Sequence, residues 1–132
     1  MIKNFKELVV WQKAMDLAAE VYRLAKKLPK EERYALADQL RRSASAIPSN
    51  IAEGFGRETS KDYANFLVIA RGSVFETETH LLLCVRVHYL AAEEVQPALS
   101  LVAEVGKMIN SVISMLRSPS PPNQPPLPTT NN

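Results

Sequence analysis

Four stretches of this chain repeat apolar residues three and four positions apart, and prolines and glycines punctuate the first two gaps between them. A stripe of that period buries one side of a helix and leaves the other side wet, so the pattern admits helices packed on helices and little else. The first stretch spans about residues 5 to 28, with Leu8, Trp11, Met15, Ala18, Val21, Tyr22 and Ala25 as its expected buried stripe. Pro29 ends it, because a proline ring disfavours helical geometry at the residue before it. The second spans about residues 32 to 53 and carries Leu36, Leu40, Ala44, Ile47 and Ile51 on one face. Glu31 and Glu32 suit its start, where carboxylates complement the helix dipole. Pro48 lies inside it, and the in-phase apolar residues on both sides predict a kink rather than a break. Gly54 and Gly56 follow as terminators. The third begins near Thr59, with Asp62 placed as its capping partner, and buries Tyr63, Phe66, Leu67, Ala70, Val74, Thr77, Leu81 and Val85 as far as about residue 90. The fourth spans about residues 92 to 116, on Val95, Leu99, Val102, Ile109, Val112, Ile113 and Leu116. Short connections between long amphipathic helices make antiparallel neighbours. The reading is therefore an all-α, up-and-down four-helix bundle over residues 1–117.

The last charged residue is Arg117, and residues 118–132 hold six of the nine prolines. That segment has too little apolar surface to offset the entropy of ordering it, and it reads as a disordered, polyproline-like tail. Such a tail can dock on an aromatic groove, but at a terminus it is more often only a tail. The folded part has ample material for one core, since 46% of the 132 residues are hydrophobic. One cysteine, Cys84, forms no internal disulfide. No run of about 18 apolar residues suggests a membrane span, and residues 1–7 lack the features of a signal peptide, so the expected location is cytoplasmic. Sixteen basic against fourteen acidic residues give a net charge of +2, which neither makes nor closes a case for nucleic acid.

Signs of catalysis are few. The chain has no phosphate-cradling loop, Cys-x-x-Cys or His-Glu-x-x-His, and no cofactor is expected. Gly54-Phe55-Gly56-Arg57 joins two helices, which removes a dinucleotide reading. Glu76, His80, Cys84 and His88 recur every four residues, but along one straight helix they span about 18 Å, too far for one coordination sphere. They read as a partly buried helix face, with Cys84 a core thiol. Ser43-Ala44-Ser45-Ala46 and Gly72-Ser73 offer small side chains for close helix approach, to each other or to another subunit. The basic residues carry more interest. Arg41 and Arg42 flank the second stripe, and Arg57 stands before a helix start, where the dipole disfavours a cation. Either a neighbouring Glu53 or Glu58 neutralises Arg57, or it joins Arg41, Arg42 and Lys61 in holding phosphate.

The run Gln39-Leu40-Arg41-Arg42-Ser43-Ala44, with Ile47-Pro48-Ser49-Asn50-Ile51-Ala52-Glu53-Gly54-Phe55-Gly56-Arg57, resembles the bacterial 23S rRNA intervening-sequence protein family, also called the S23 ribosomal protein family. Leu8 to Ala14 and Ile69-Ala70-Arg71-Gly72-Ser73, followed by Glu76 and Glu78, agree in order and spacing. The likeness covers about residues 5 to 115 and leaves out the tail. A further similarity is to the accessory protein of diversity-generating retroelements. The resemblance implies a four-helix bundle assembled as a homopentamer, without established catalysis and associated with structured RNA or another nucleic acid. On that expectation Arg41, Arg42, Arg57, Lys61 and Arg71 are the electrostatic contacts. Pro48, Asn50, Glu53, Gly54, Gly56 and Gly72 form the signature, which building the kink and turn explains as well as ligand contact does. Two positions depart from the usual pattern: Ser43 stands where alanine is common, and Thr77 where a more apolar residue is. The alternative is a protein–protein adaptor that ignores nucleic acid.

Overall fold

The structure, a computed structural model, describes residues 1–119. The expected tail therefore lies, from residue 120 on, outside the described residues. Four helices run in order: α1 (Val9–Ala25), α2 (Leu36–Phe55), α3 (Ser60–Arg86) and α4 (Ala92–Arg117). Each packs on its neighbours in sequence, and α4 closes on α1; among the described residues the diagonal pairs do not pack directly. The arrangement is the up-and-down bundle that short loops dictate. Ion pairs from Lys13 to Glu104 and from Lys27 to Glu94 fix the antiparallel sense of α1 and α4.

The first two helices are shorter than their patterns suggest. Phe5–Glu7 is a separate 3-10 turn, held by the Asn4 side chain accepting from the Lys6 amide. A second 3-10 turn, Lys30–Glu32, precedes α2. Glu32 then accepts from the Leu36 amide at 3.2 Å and from the Tyr89 hydroxyl at 2.8 Å, tying the start of α2 to the α3–α4 connection. The second helix passes through Pro48 unbroken, with Ile47 and Ile51 fully buried on either side. Asn50 does not serve the Ala44 carbonyl that Pro48 leaves without its helical donor. Its side-chain amide donates instead to the Ala46 carbonyl at 2.8 Å. Gly54 has a packing reason: a Cβ there would lie 2.9 Å from the Cβ of Phe66 and 3.1 Å from the carbonyl oxygen of Tyr63. A methyl group would push α2 and α3 apart where they cross.

Thr59 caps α3, its hydroxyl accepting from the Asp62 amide at 3.1 Å. The helix ends in a Schellman motif: the Tyr89 amide donates to the Cys84 carbonyl, the His88 amide to the Val85 carbonyl, and His88 takes the left-handed φ of 67°. The small patches of α2 and α3 do face each other. Ser43 and Ser73 are buried there, the hydroxyls of Thr77 and Ser43 are hydrogen-bonded at 2.9 Å, and Thr77 Oγ1 also reaches the Ser73 carbonyl at 2.8 Å. Gly72 is different, because nothing lies within 4 Å of a Cβ built on it; its packing reason is not inside the bundle.

In α1 the buried face differs from the expected one. Val10, Ala14, Leu17 and Leu24 line the core beside the expected Ala18, Val21 and Ala25, whereas Met15 and Tyr22 are exposed and Leu8 and Trp11 half-buried. The larger members of the expected stripe, Trp11, Met15 and Tyr22, belong to a second apolar face that points away from the core. The fourth helix calls for another correction. Over its most apolar 18 residues it reaches a mean hydropathy of 1.4, enough by length and composition to match a membrane span. In the fold its Val95, Ala98, Val102, Val105 and Ile109 lie in the core.

Candidate nucleic-acid interface

The five basic residues singled out from the sequence fall in separate places. Arg41 lies near the start of α2 and donates to the Arg33 carbonyl at 3.1 Å. Arg42, one residue on, turns to the α2–α3 side and pairs with Asp38 at 2.8 Å. Arg57 and Lys61 sit at the opposite end of the bundle, about 24 Å along the α2 axis from Arg41. Arg57 is 3.8 Å from Glu53, and its guanidinium lies over the Phe66 ring at 4.7 Å from the centroid. The neighbouring glutamate and ring thus accommodate the cation at a helix start. Arg71, midway along α3, donates to Asn110 of α4 at 3.0 Å. The five do not share one surface.

A denser basic site lies at the α1–α2 end. Lys26, Lys30, Arg33 and Arg41 line an open pocket of about 500 Å³ with Ala25, Leu28, Pro29, Tyr34 and Ala37. The fold builds it stepwise. Leu28 is buried and anchors the end of α1, Pro29 turns the chain, and the 3-10 turn brings Lys30 and Arg33 back over α1. None of these four cations is in an ion pair among the described residues, whereas Lys13, Arg23, Lys27, Arg42 and Arg57 each have a carboxylate partner. Of the two acids in the same turn, Glu32 is directed elsewhere. Glu32 binds Tyr89, and both Glu32 and Glu31 bear on the Tyr89 hydroxyl; its pKa is raised by the Glu32 hydrogen bond first, then by burial, with both carboxylates adding. No carboxylate lines the pocket. Tyr34 stands at its edge with 87% of its surface exposed.

Of this group only Arg41 was singled out in the sequence. A signal was present in Lys26-Lys27-Leu28-Pro29-Lys30 and Arg33-Tyr34, but Glu31 and Glu32 between them made the run look balanced. The metal-like series separates further. Cys84 is fully buried, and burial, then the Glu32 charge, pushes its thiol up to about 11. His88 lies beyond the helix in its left-handed position, and among the described residues no three His, Cys, Asp or Glu side chains are grouped to hold an ion.

Two apolar faces point outward. One is a groove of about 510 Å³ between α1 and α2, where Phe5, Trp11, Met15 and Tyr22 meet Pro48 and Ala52. The rings of Phe5 and Trp11 meet edge to face at 5.2 Å. The other is the outer side of α3, where Ile69, Phe75, Leu82, Leu83 and Val87 are exposed in helical phase around Gly72.

Comparison with known proteins agrees with the architecture. Residues 6–111 match the family model described as 23S rRNA-intervening sequence protein. The chain is similar, at 30% identity and a TM-score of 0.74, to the crystal structure of a protein of unknown function from the S23 ribosomal protein family of Bacteroides thetaiotaomicron VPI-5482. That match covers 80% of this chain and 98% of the other. No curated protein matches. With a family match across nearly the whole bundle and a solved family member of the same fold, the chain belongs to the 23S rRNA-intervening sequence protein family.

Proposed function

We propose that this chain is a non-catalytic scaffold that assembles with copies of itself and binds structured RNA. The observation that carries the assembly is the pair of outward apolar faces. A monomer of this size gains nothing from exposing Phe75, Leu82 and Leu83 on one helix and a Trp11–Met15–Tyr22 groove on another. The two faces differ: one is a groove between α1 and α2, the other the outer side of α3. Packing one against the other is a heterologous contact, which generates a ring when the rotation closes. Gly72, open to solvent at the centre of the α3 face, allows the second copy to approach the helix backbone closely. A ring of five is the number that the family resemblance implies.

The RNA half is supported by the family to which the chain belongs and by the basic side chains left unpaired. The test is light scattering on the purified chain together with titration against structured ribosomal RNA at several salt concentrations. Phosphate contacts require binding that weakens steeply as salt rises. A monomer by scattering contradicts the scaffold. An oligomer that ignores RNA even at low salt leaves an adaptor that recruits protein through its apolar surfaces.

A further inference from the structure

We infer that the pocket at the α1–α2 end is the nucleic-acid contact, and that it takes an unpaired nucleotide: phosphates on Lys26, Lys30, Arg33 and Arg41, and a base stacked on Tyr34. This rests on the RNA-binding half of the reading above and adds the site and the form of RNA that fits it.

Three features converge there. The first is charge without internal compensation: four cations line one pocket, no carboxylate does, and Glu32 of the turn is engaged by the Tyr89 hydroxyl. The second is preorganisation. Arg41 is half-buried and held to the Arg33 carbonyl, so its guanidinium is fixed at the pocket wall rather than free in solvent. The third is Tyr34, whose exposed ring is of no use to the core and lies beside the cations. An exposed aromatic interleaved with basic residues is a stacking platform, and stacking needs a base released from a duplex. An acidic peptide would satisfy the charges but leave the ring without a partner. A duplex presents phosphates along its length but keeps its base faces stacked except at its two ends. A loop or bulge offers both within one pocket of about 500 Å³.

The experiment uses the full chain and two fluorescently labelled RNAs: a hairpin with an unpaired loop, and its stem as a blunt duplex. Anisotropy is read between 50 and 200 mM salt. The wild type is expected to prefer the hairpin. Lys26→Glu with Arg33→Glu, both at exposed positions, should weaken hairpin binding at least tenfold and flatten its salt dependence by about one unit of slope per lost phosphate contact. Tyr34→Ala should weaken the hairpin about tenfold and leave the duplex unchanged, with Tyr34→Phe restoring it. The same charge change made at the far end of the bundle, Lys6→Glu with Arg117→Glu, should leave the affinity within about twofold if the site is local. Circular dichroism melting confirms that each variant is folded. Failure of the wild type to bind either RNA overturns this site together with the RNA reading. Hairpin binding that survives the Lys26 and Arg33 reversal overturns the site alone. Equal displacement of the hairpin by poly-glutamate assigns the pocket to an acidic protein partner instead.

Discussion

At the scale of single residues, the two departures from the family pattern turn out to be one feature. Ser43 and Thr77, read from the sequence as standing where more apolar side chains are usual, lie on different helices, and their hydroxyls bond to each other in the buried α2–α3 contact. Removing one partner leaves the other only a backbone carbonyl of its own helix, that of Ser73 for Thr77 and that of Leu40 for Ser43, whereas removing both leaves an apolar contact. Ser43→Ala and Thr77→Val should each destabilise by about 1 kcal/mol, and the double variant by less than their sum, with a coupling of about 0.5–1.5 kcal/mol. Urea unfolding of the four proteins measures it, and strict additivity would show that the hydroxyls are independent. The Cys84 thiol gives a second test. Burial raises it from an ordinary 9.0 to about 11, so as pH rises the unfolded chain gives up this proton before the folded one does. Its contribution to stability is therefore complete below pH 9 and lost as the pH climbs toward 11. Stability measured in urea across that window should fall less steeply for Cys84→Ala than for the wild type, since the tyrosines titrate in both.

At the scale of elements, what the sequence conveyed depended on how many apolar faces a helix has. The second helix has one, and Leu36, Leu40, Ala44, Ile47 and Ile51 are all buried as their spacing predicts. The first has two, and its larger side chains, Trp11, Met15 and Tyr22, belong to the face outside the core. Periodicity alone cannot rank two stripes on one helix, because both satisfy the same spacing, and size favours the wrong one. The basic pocket was hidden for another reason. Its cations come from the end of α1, the 3-10 turn and α2, and the pairing of Glu32 with Tyr89 that unmasks them joins residues 57 positions apart. The end of α3 was placed at residue 90 rather than Arg86 because no glycine marks the Schellman turn; His88 fills the glycine position. His88→Gly should therefore stabilise the protein by about 0.5–1 kcal/mol by relieving a left-handed conformation at a residue with a Cβ. A thermal melt that falls instead would mean that the imidazole makes a contact worth more than the strain.

At the scale of the whole molecule, the surfaces proposed for assembly and for RNA are different, and this makes their coupling measurable. The apolar contacts lie along the α1–α2 groove and the outer side of α3, whereas the cations cluster at one end of the bundle. Rotational assembly of identical chains would place every pocket at an equivalent position, so one RNA with several loops could engage more than one of them. Linked contacts of that kind multiply affinity through effective concentration without any new interaction. Phe75→Asp places a charge at the centre of the α3 face, where 58% of the side chain is exposed in the isolated chain, and so should break the assembly while leaving the bundle folded. The monomer should keep the affinity of the wild type for a single short hairpin and lose about a hundredfold for an RNA carrying several loops. Scattering and anisotropy on the same samples separate the two effects. If Phe75→Asp is monomeric and binds the multi-loop RNA as tightly as the wild type, the ring contributes nothing to recognition. If the short hairpin is lost as well, the site spans two copies and the single pocket is not enough.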